Sequence, residues 1–424
     1  MTDAAPPPGP TAPPPGGGRG GGAGRGGPDA SGPQPGGPRT GGLSEVARVF
    51  LKLGAVAFGG PAAHVAMMED EFVVRRRWLS RQHFLDLIGA TNLIPGPNST
   101  EMTMHVGYER AGARGLFVAG ACFIGPAVLL TGLAAWAYVR FGSLPAVEPL
   151  LYGVKPAVLA IILGALWRLG KKAVTGWRLA VLAVAVAAAV LAGVGEVWAL
   201  LAGGAVGAVW LRASGPDSGS AGRVLPILLL QTGAAGAVAG GAAAVSLPKL
   251  FWFFLKVGSV LYGSGYVLVA FLEGGLVDDY GWLTQGQLLD AIAIGQFTPG
   301  PVLSTSTFIG YVVGAQGGVG PVAGAALATL GIFLPSFLFV WVLNPLVPRL
   351  RESAWLSAAL DAVNAAAVAL MAAVTLELGA DVLVSWPAVA IALSAAVAVL
   401  RFRLSVVWVV LGGAAAGWLL APWA

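Results

Sequence analysis

The sequence predicts an all-α polytopic membrane protein made of two inverted homologous repeats, and three observations predict it. Of 424 residues, 56% are hydrophobic and only 11% charged, against roughly 25% charged in an average soluble domain. Apolar runs long enough to span a bilayer core, about 17 to 25 residues, recur along most of the chain. One half of the hydrophobic region also repeats the other. The net charge of +5 does not point to nucleic acid, because the basic residues are scattered among apolar segments and form no single patch. Cys122 is the sole cysteine and there are three histidines, so neither a disulfide framework nor a histidine-rich metal site is expected.

Residues 1 to 42 hold 11 prolines and 15 glycines and no apolar run. Such a tail cannot bury enough surface to offset its ordering entropy, and it has no signal-peptide core. Thirteen apolar stretches follow: 50 to 68, 83 to 109, 115 to 139, 150 to 167, 179 to 195, 197 to 211, 224 to 246, 250 to 272, 287 to 313, 321 to 347, 354 to 378, 385 to 400 and 404 to 421. Four of them carry helix breakers: GGP at 59 to 61, PGP at 95 to 97, GSG at 263 to 265 and PGP at 299 to 301. Proline lacks the amide donor and clashes with the preceding turn, so these helices should stop and restart within the membrane. Irregular backbone at that depth needs protein or a wet cavity around it.

The broken segments pair up. Residues 50 to 97 align with 254 to 301 at a constant offset of 204 with 18 identities in 48 positions. The resulting organisation is a tail (1–42), a first repeat (43–211), a linker with an inverting transmembrane helix (212–249) and a second repeat (250–424). Arg75, Arg76, Arg77 and Arg81 follow the first broken segment, whereas the equivalent loop carries Asp278 and Asp279. Cytoplasmic loops hold the excess of Lys and Arg, so equivalent loops of opposite character imply opposite sides. If all four broken segments are re-entrant hairpins, 17 Lys and Arg share one side and 3 the other; if all four cross, the split is 13 against 7. The hairpin arrangement gives each repeat two broken hairpins and about four spans. It places the N-terminus in the cytoplasm and the C-terminus outside.

Inverted repeats with discontinuous helices are the architecture of many secondary transporters, whose half-helix N-termini offer amides and positive dipole ends to an anion. Asn98, Ser99 and Thr100 follow the first PGP (Pro95, Gly96, Pro97). Ser304, Thr305, Ser306 and Thr307 lie just after the second (Pro299, Gly300, Pro301). These hydroxyls and amides can donate to tetrahedral oxygens or simply cap the restarted helix. Lys52 and Lys256 occupy equivalent intramembrane positions, where they could neutralise a dianion or snorkel to the headgroups. Glu101 and His105, at i and i+4, share a helix face and could couple a proton, or form a structural pair. Asn92 and Gln296 align before the PGP motifs as neutral donors. Asp86 and Asp290 read as structural acids near a helix start, with Thr284 and Gln287 as a capping box. Asp361 and Glu377 are read as buried in later spans, without a role.

The strings FGGP (58 to 61), IPGPNSTE (94 to 101), GYERAG (107 to 112) and TPGPV (298 to 302) resemble the chromate ion transporter (CHR) family, in its long two-domain form with homologous halves. The resemblance covers about residues 43 to 421. It implies export of chromate, a sulfate-like tetrahedral dianion, across the cytoplasmic membrane, linked to the proton motive force and conferring chromate resistance. It also implies that the first-half motifs, Gly59, Gly60 and Pro61 together with Pro95 to Pro97, carry transport with the polar residues beside them. The second copy reads GSG where the first reads GGP, which puts equal participation of the halves in question. Sulfate or another oxyanion is the alternative substrate. An intramembrane enzyme would need a nucleophile and base grouped with a metal or several arginines, and the sequence displays no such constellation. No cofactor, metal or nucleic acid is expected; the partners are the oxyanion and the lipid bilayer, and a homodimer is open.

Overall fold

The computed structural model describes residues 42–58, 61–142, 144, 147–213, 244–262, 265–344 and 353–420. Gly59, Gly60, Gly263, Ser264, the tail before Gly42 and nearly all of the 224 to 246 segment lie outside the described residues. Every regular element among the described residues is a helix. The first repeat runs α1 (Leu43–Val56), α2 (Pro61–Glu69, continued by a π-helical turn, Asp70–Arg75), α3 (Arg81–Thr91), α4 (Asn98–Phe141), α5 (Glu148–Ala173), α6 (Trp177–Leu191) and α7 (Glu196–Ala213). The second runs α8 (Leu247–Val260), α9 (Leu268–Leu272, continued by a π-helical turn, Glu273–Asp279), α10 (Gln285–Phe297), α11 (Thr305–Gln316), α12 (Pro321–Leu343), α13 (Ala354–Val382), α14 (Trp386–Leu400) and α15 (Val406–Leu420).

The duplication is visible in the element boundaries. α1 and α8 start 204 residues apart, as do α3 and α10, while α6 and α14 start 209 apart. The extra residues of the second copy fall at one place. α4 is assigned as one helix of 44 residues but bends at Ala111 and Gly112, where φ is −146° and 61°. At about 1.5 Å per residue a straight helix of that length would be twice as long as the bilayer core is thick. The second copy breaks there completely, into α11 and α12 around Gly317–Gly320. The apolar stretches 83 to 109 and 115 to 139 thus join beyond the PGP break. The helices α4, α5, α7, α12 and α13 are long and apolar enough to cross a membrane. Apart from α4, the helices flanking the breaks are shorter, from 5 to 14 residues.

Packing repeats with the sequence. Gly54 of α1 rests on the Phe123 carbonyl of α4, and Gly258 of α8 rests on the Ile332 carbonyl of α12; a Cβ at either glycine would collide with that backbone. The two repeats are also interlaced: α5 packs against α14 and α15, and α13 against α6 and α7. One core runs through both repeats, and a smaller one in the first gathers Phe50, Phe72, Phe84 and Phe123. The arginine run folds into a corner rather than a free basic patch. Arg75 pairs with Asp70 at 2.7 Å and Arg76 with Glu71 at 2.6 Å. Arg76 and Arg110 share Glu45 and lie over the Trp78 ring. Thr284 and Gln287 form the expected capping box at the start of α10.

Candidate functional site

The two PGP loops are buried, and each is held by the other repeat. The Gly96 amide donates to the Leu261 carbonyl at 2.7 Å, and the Gly300 amide donates to the Ala57 carbonyl at 2.8 Å. Both carbonyls lie just beyond the ends of α8 and α1, where the breaks have released the chain from helical bonding. Gly96 and Gly300 have φ of 142° and 98°, a region that side chains disfavour. Each bond is thus the counterpart of the other at the same offset of 204, and together they tie the discontinuous helices of the two repeats to one another.

From that knot α4 and α11 start. The first amides of a helix have no intrahelical partner and sit at the positive end of its dipole. The sequence left open whether the adjacent hydroxyls cap those amides, and they do not: neither Pro97 nor Pro301 nor Ser304 provides a side-chain cap. Thr305 and Ser306 donate to the carbonyls of Val302 and Leu303, and Thr307 pairs with Thr329. Thr100 and Ser304, each three residues past its PGP motif, are both 0% exposed, and among the described residues neither hydroxyl has a hydrogen-bond partner. A buried polar group left unpaired is costly, which marks such atoms as places for a ligand or water. Ser99 is also buried.

Glu101 is 0% exposed, and neither carboxylate oxygen has a hydrogen-bond partner among the described residues. Gly96 lies against Glu101 Oε1 and the hydroxyl of Ser336 on α12, so that a Cβ at Gly96 would overlap both. Tyr262, beyond the end of α8, stands within electrostatic range of Glu101. His105 is buried one turn further on and pairs through Nδ1 with Asn344 at the end of α12, at 2.8 Å. Glu101 and His105 therefore share a buried face without sharing a hydrogen bond. Both face the second repeat.

A cavity of about 370 Å3 opens beside the start of α4. Its polar wall includes Asn92, Asn98, Lys172, Ser357, Asp361 and Asn364, drawn from α3, α4, α5 and α13. Asn98 donates to the Asn92 side chain at 2.8 Å. Gln296, the counterpart of Asn92 in the alignment, accepts from the Tyr266 hydroxyl at 3.3 Å. Asp361 is thus exposed to this cavity and Glu377 is exposed on the same helix, rather than both being buried as the sequence suggested. Lys52 and Lys256 are exposed as well. Neither lines the cavity. Gly59 and Gly60 lie outside the described residues, and Pro61 opens α2. Among the described residues no three His, Cys, Asp or Glu side chains are grouped to hold a metal ion.

Sequence reasoning did not find Ser336, Tyr262 or Lys172. The 209-residue offset of the later helices pairs Pro335 and Ser336 with Pro126 and Ala127, so extending the repeat past the PGP motifs would have singled out the serine.

A sequence profile of chromate transporters matches residues 44–208 and again 248–418, two copies that start 204 residues apart. The chain belongs to the chromate transporter family. It is 31% identical over 383 residues to the chromate transport protein of Cupriavidus metallidurans, covering 90% of this chain and 94% of that one. It is 33% identical over 398 residues to the chromate transport protein of Pseudomonas aeruginosa, covering 88% and 91%. A probable chromate transport protein of Synechococcus elongatus is 30% identical over 362 residues, covering 83% and 88%. No solved structure matches the chain. Family membership and the long apolar helices together make this a multi-pass membrane protein and a transporter.

Proposed function

We propose that this transporter exports chromate across the cytoplasmic membrane in exchange for inward proton movement, and so confers chromate resistance. The observation that carries the reading is the crossed pair of PGP loops, which brings unpartnered buried hydroxyls from both repeats, Thr100 and Ser304, to the N-termini of α4 and α11. Half-helix N-termini at a repeat interface suit an anion, and neutral donors suit a tetrahedral dianion that must also be released. The anion enters through the cavity walled by Asn92, Asn98 and Lys172, with Lys172 supplying positive charge. The two repeats are inverted, with residues 43–211 and 250–424 as the halves and the N-terminus in the cytoplasm. The excess of Lys and Arg on one set of loops supports that orientation.

Glu101 is the proton carrier of this site. A buried carboxylate with no partner is costly while charged, and a proton taken up there removes the cost. His105 and Asn344 form the polar continuation along α4 and α12. Sulfate has the same shape and charge as chromate and should compete for the same donors. The test is flux in proteoliposomes holding the full chain, with chromate loaded on one side and a pH gradient imposed. Chromate movement that follows the gradient and is slowed by sulfate is the expected result. Chromate flux no faster than in empty liposomes would refute the proposal.

A further inference from the structure

Outside the PGP site, the second repeat holds a carboxylate whose partner differs in charge from that of its first-repeat counterpart. Glu69 ends α2 and pairs with Arg81 at the start of α3, at 3.4 Å, with its side chain 35% exposed. Glu273 and Gln285 stand 204 residues on from these two. Glu273 is 3% exposed. Its Oε1 accepts from the Gln285 amide at 2.7 Å, and its Oε2 has no hydrogen-bond partner among the described residues. The ion pair of one repeat has become a neutral hydrogen bond in the other, around a buried acid.

The other neighbours of Glu273 are acidic. Asp278, Glu377 and Asp381 all lie within electrostatic range of Glu273. At the 209-residue offset, Glu377 and Asp381 of α13 occupy the places of Arg168 and Lys172 of α5. They lie toward the C-terminal end of their helix, where the dipole is also negative. From α7, the Glu196 carboxylate packs on the Gly274 backbone. Asp278, Asp279 and Lys256 are within range of Glu196, and Lys256, on α8, is the only cation in these two sets. The arrangement thus concentrates negative potential on an acid that, among the described residues, no cation neutralises at hydrogen-bond distance; Lys155 of α5 lies against Gly286, one residue past Gln285, and within range of Asp290. No three of these acids are grouped to hold a metal ion among the described residues.

We infer that Glu273 is a second proton-binding site, on the face opposite the basic loops, that takes up the proton driving anion exchange. The inference rests on the transport reading above and adds a proton site remote from the PGP loops. Protonation requires no rearrangement: Oε2 acquires the hydrogen while Oε1 keeps the bond from Gln285. The acids around it draw protons to this face and keep anions away from it until the transporter presents its site there.

Dicyclohexylcarbodiimide modifies protonated carboxyl groups in apolar surroundings, so labelling of the full-length protein in liposomes, mapped by peptide mass spectrometry, reads protonation without transport. Labelling at Glu273 should rise as pH falls, and the ion-paired Glu69 should stay unlabelled. Gln285→Arg restores the first-repeat pairing at a half-buried helix start and should suppress the labelling at equal pH. Glu273→Gln should lose the acceleration of chromate flux by a pH gradient while retaining chromate-induced quenching of tryptophan fluorescence. An unlabelled Glu273 at low pH, labelling unchanged in Gln285→Arg, or gradient-driven flux intact in Glu273→Gln would each overturn the inference. Absence of chromate binding in the unmodified protein would instead refute the transport reading, and pH-dependent labelling would then stand as a proton site of another activity.

Discussion

The amide of Gly96 donates to the carbonyl of Leu261, at 2.7 Å, from one repeat into the break of the other. A side chain at Gly96 would have to adopt φ of 142° and push its Cβ into Glu101 and Ser336. Gly96→Ala should therefore cost more than the roughly 1 kcal/mol of a simple glycine replacement and should abolish transport. Gly112→Ala is the control, because φ there is also positive but nothing lies within 4 Å of the added carbon. Thermal unfolding in detergent and flux in proteoliposomes should separate the two: Gly112→Ala bears backbone strain alone, of about 1 to 3 kcal/mol, and keeps transport.

Thr100 and Ser304, each three residues past its PGP motif, make the anion site testable as a pair. Thr100→Val and Ser304→Ala each remove one buried donor, worth about 1 to 3 kcal/mol where the partner is a charged oxygen. Chromate affinity should fall by about tenfold in each variant, the low end of that range. Residues sharing a ligand do not add independently, so the double variant should differ from the product of the singles. Asn98→Ala and Ser99→Ala should weaken binding in the same range. Titration calorimetry or tryptophan quenching reads all of these, and unchanged affinity in both Thr100→Val and Ser304→Ala would remove the hydroxyls from the site.

Lys172 lines the cavity and should act by attraction rather than by holding the anion. Lys172→Gln should raise KM for chromate with little change in kcat, and the penalty should shrink at high ionic strength, where screening weakens the attraction in the unaltered protein. A fall in kcat at unchanged KM would instead place the lysine in the transport step.

Glu101→Gln should separate binding from coupling. The amide keeps the shape of the carboxyl group but cannot take up or release a proton, so gradient-driven chromate accumulation should vanish. Exchange of chromate for chromate, which needs no net proton movement, should persist. The ratio of these two fluxes is the measurement, and loss of both together would indicate a structural role.

How much of this was legible in the sequence depended on whether the signal was local. The four breaks were legible because proline and glycine disrupt a helix wherever they occur, and the duplication because 204 residues separate the matched motifs from 50–97 to 254–301. The exposure of Lys52 and Lys256 follows from helical period, whereas the reading by membrane cost left their place open. Val46, Val49, Phe50 and Leu53 define the buried face of α1, and Leu250, Phe253, Phe254 and Val257 that of α8, so both lysines fall on the outer face. The convergence of Glu101 and Ser336 on Gly96 and the contact of His105 with Asn344 were not legible, since each brings together residues more than 230 positions apart on different repeats. Thr100 and Ser304 were visible as polar residues, but only the packing shows that their hydroxyls are left without partners.

The opposite orientation of the repeats can be tested at charge-reversed pairs. Arg77 and Gly281 make the same left-handed turn, with φ of 51° and 60°, so the loops around them share a backbone shape while one carries arginines and the other Asp278 and Asp279. Single cysteines at Arg76 and Asp279, and at Lys172 and Asp381, in a Cys122→Ala background, should react with a membrane-impermeant maleimide from opposite sides of the membrane within each pair. Arg76 and Lys172 should react from the cytoplasmic side in inverted vesicles, and Asp279 and Asp381 from outside in intact cells. Labelling of Arg76 and Asp279 from the same side would refute the inversion and leave attraction of the anion as the role of the basic loops.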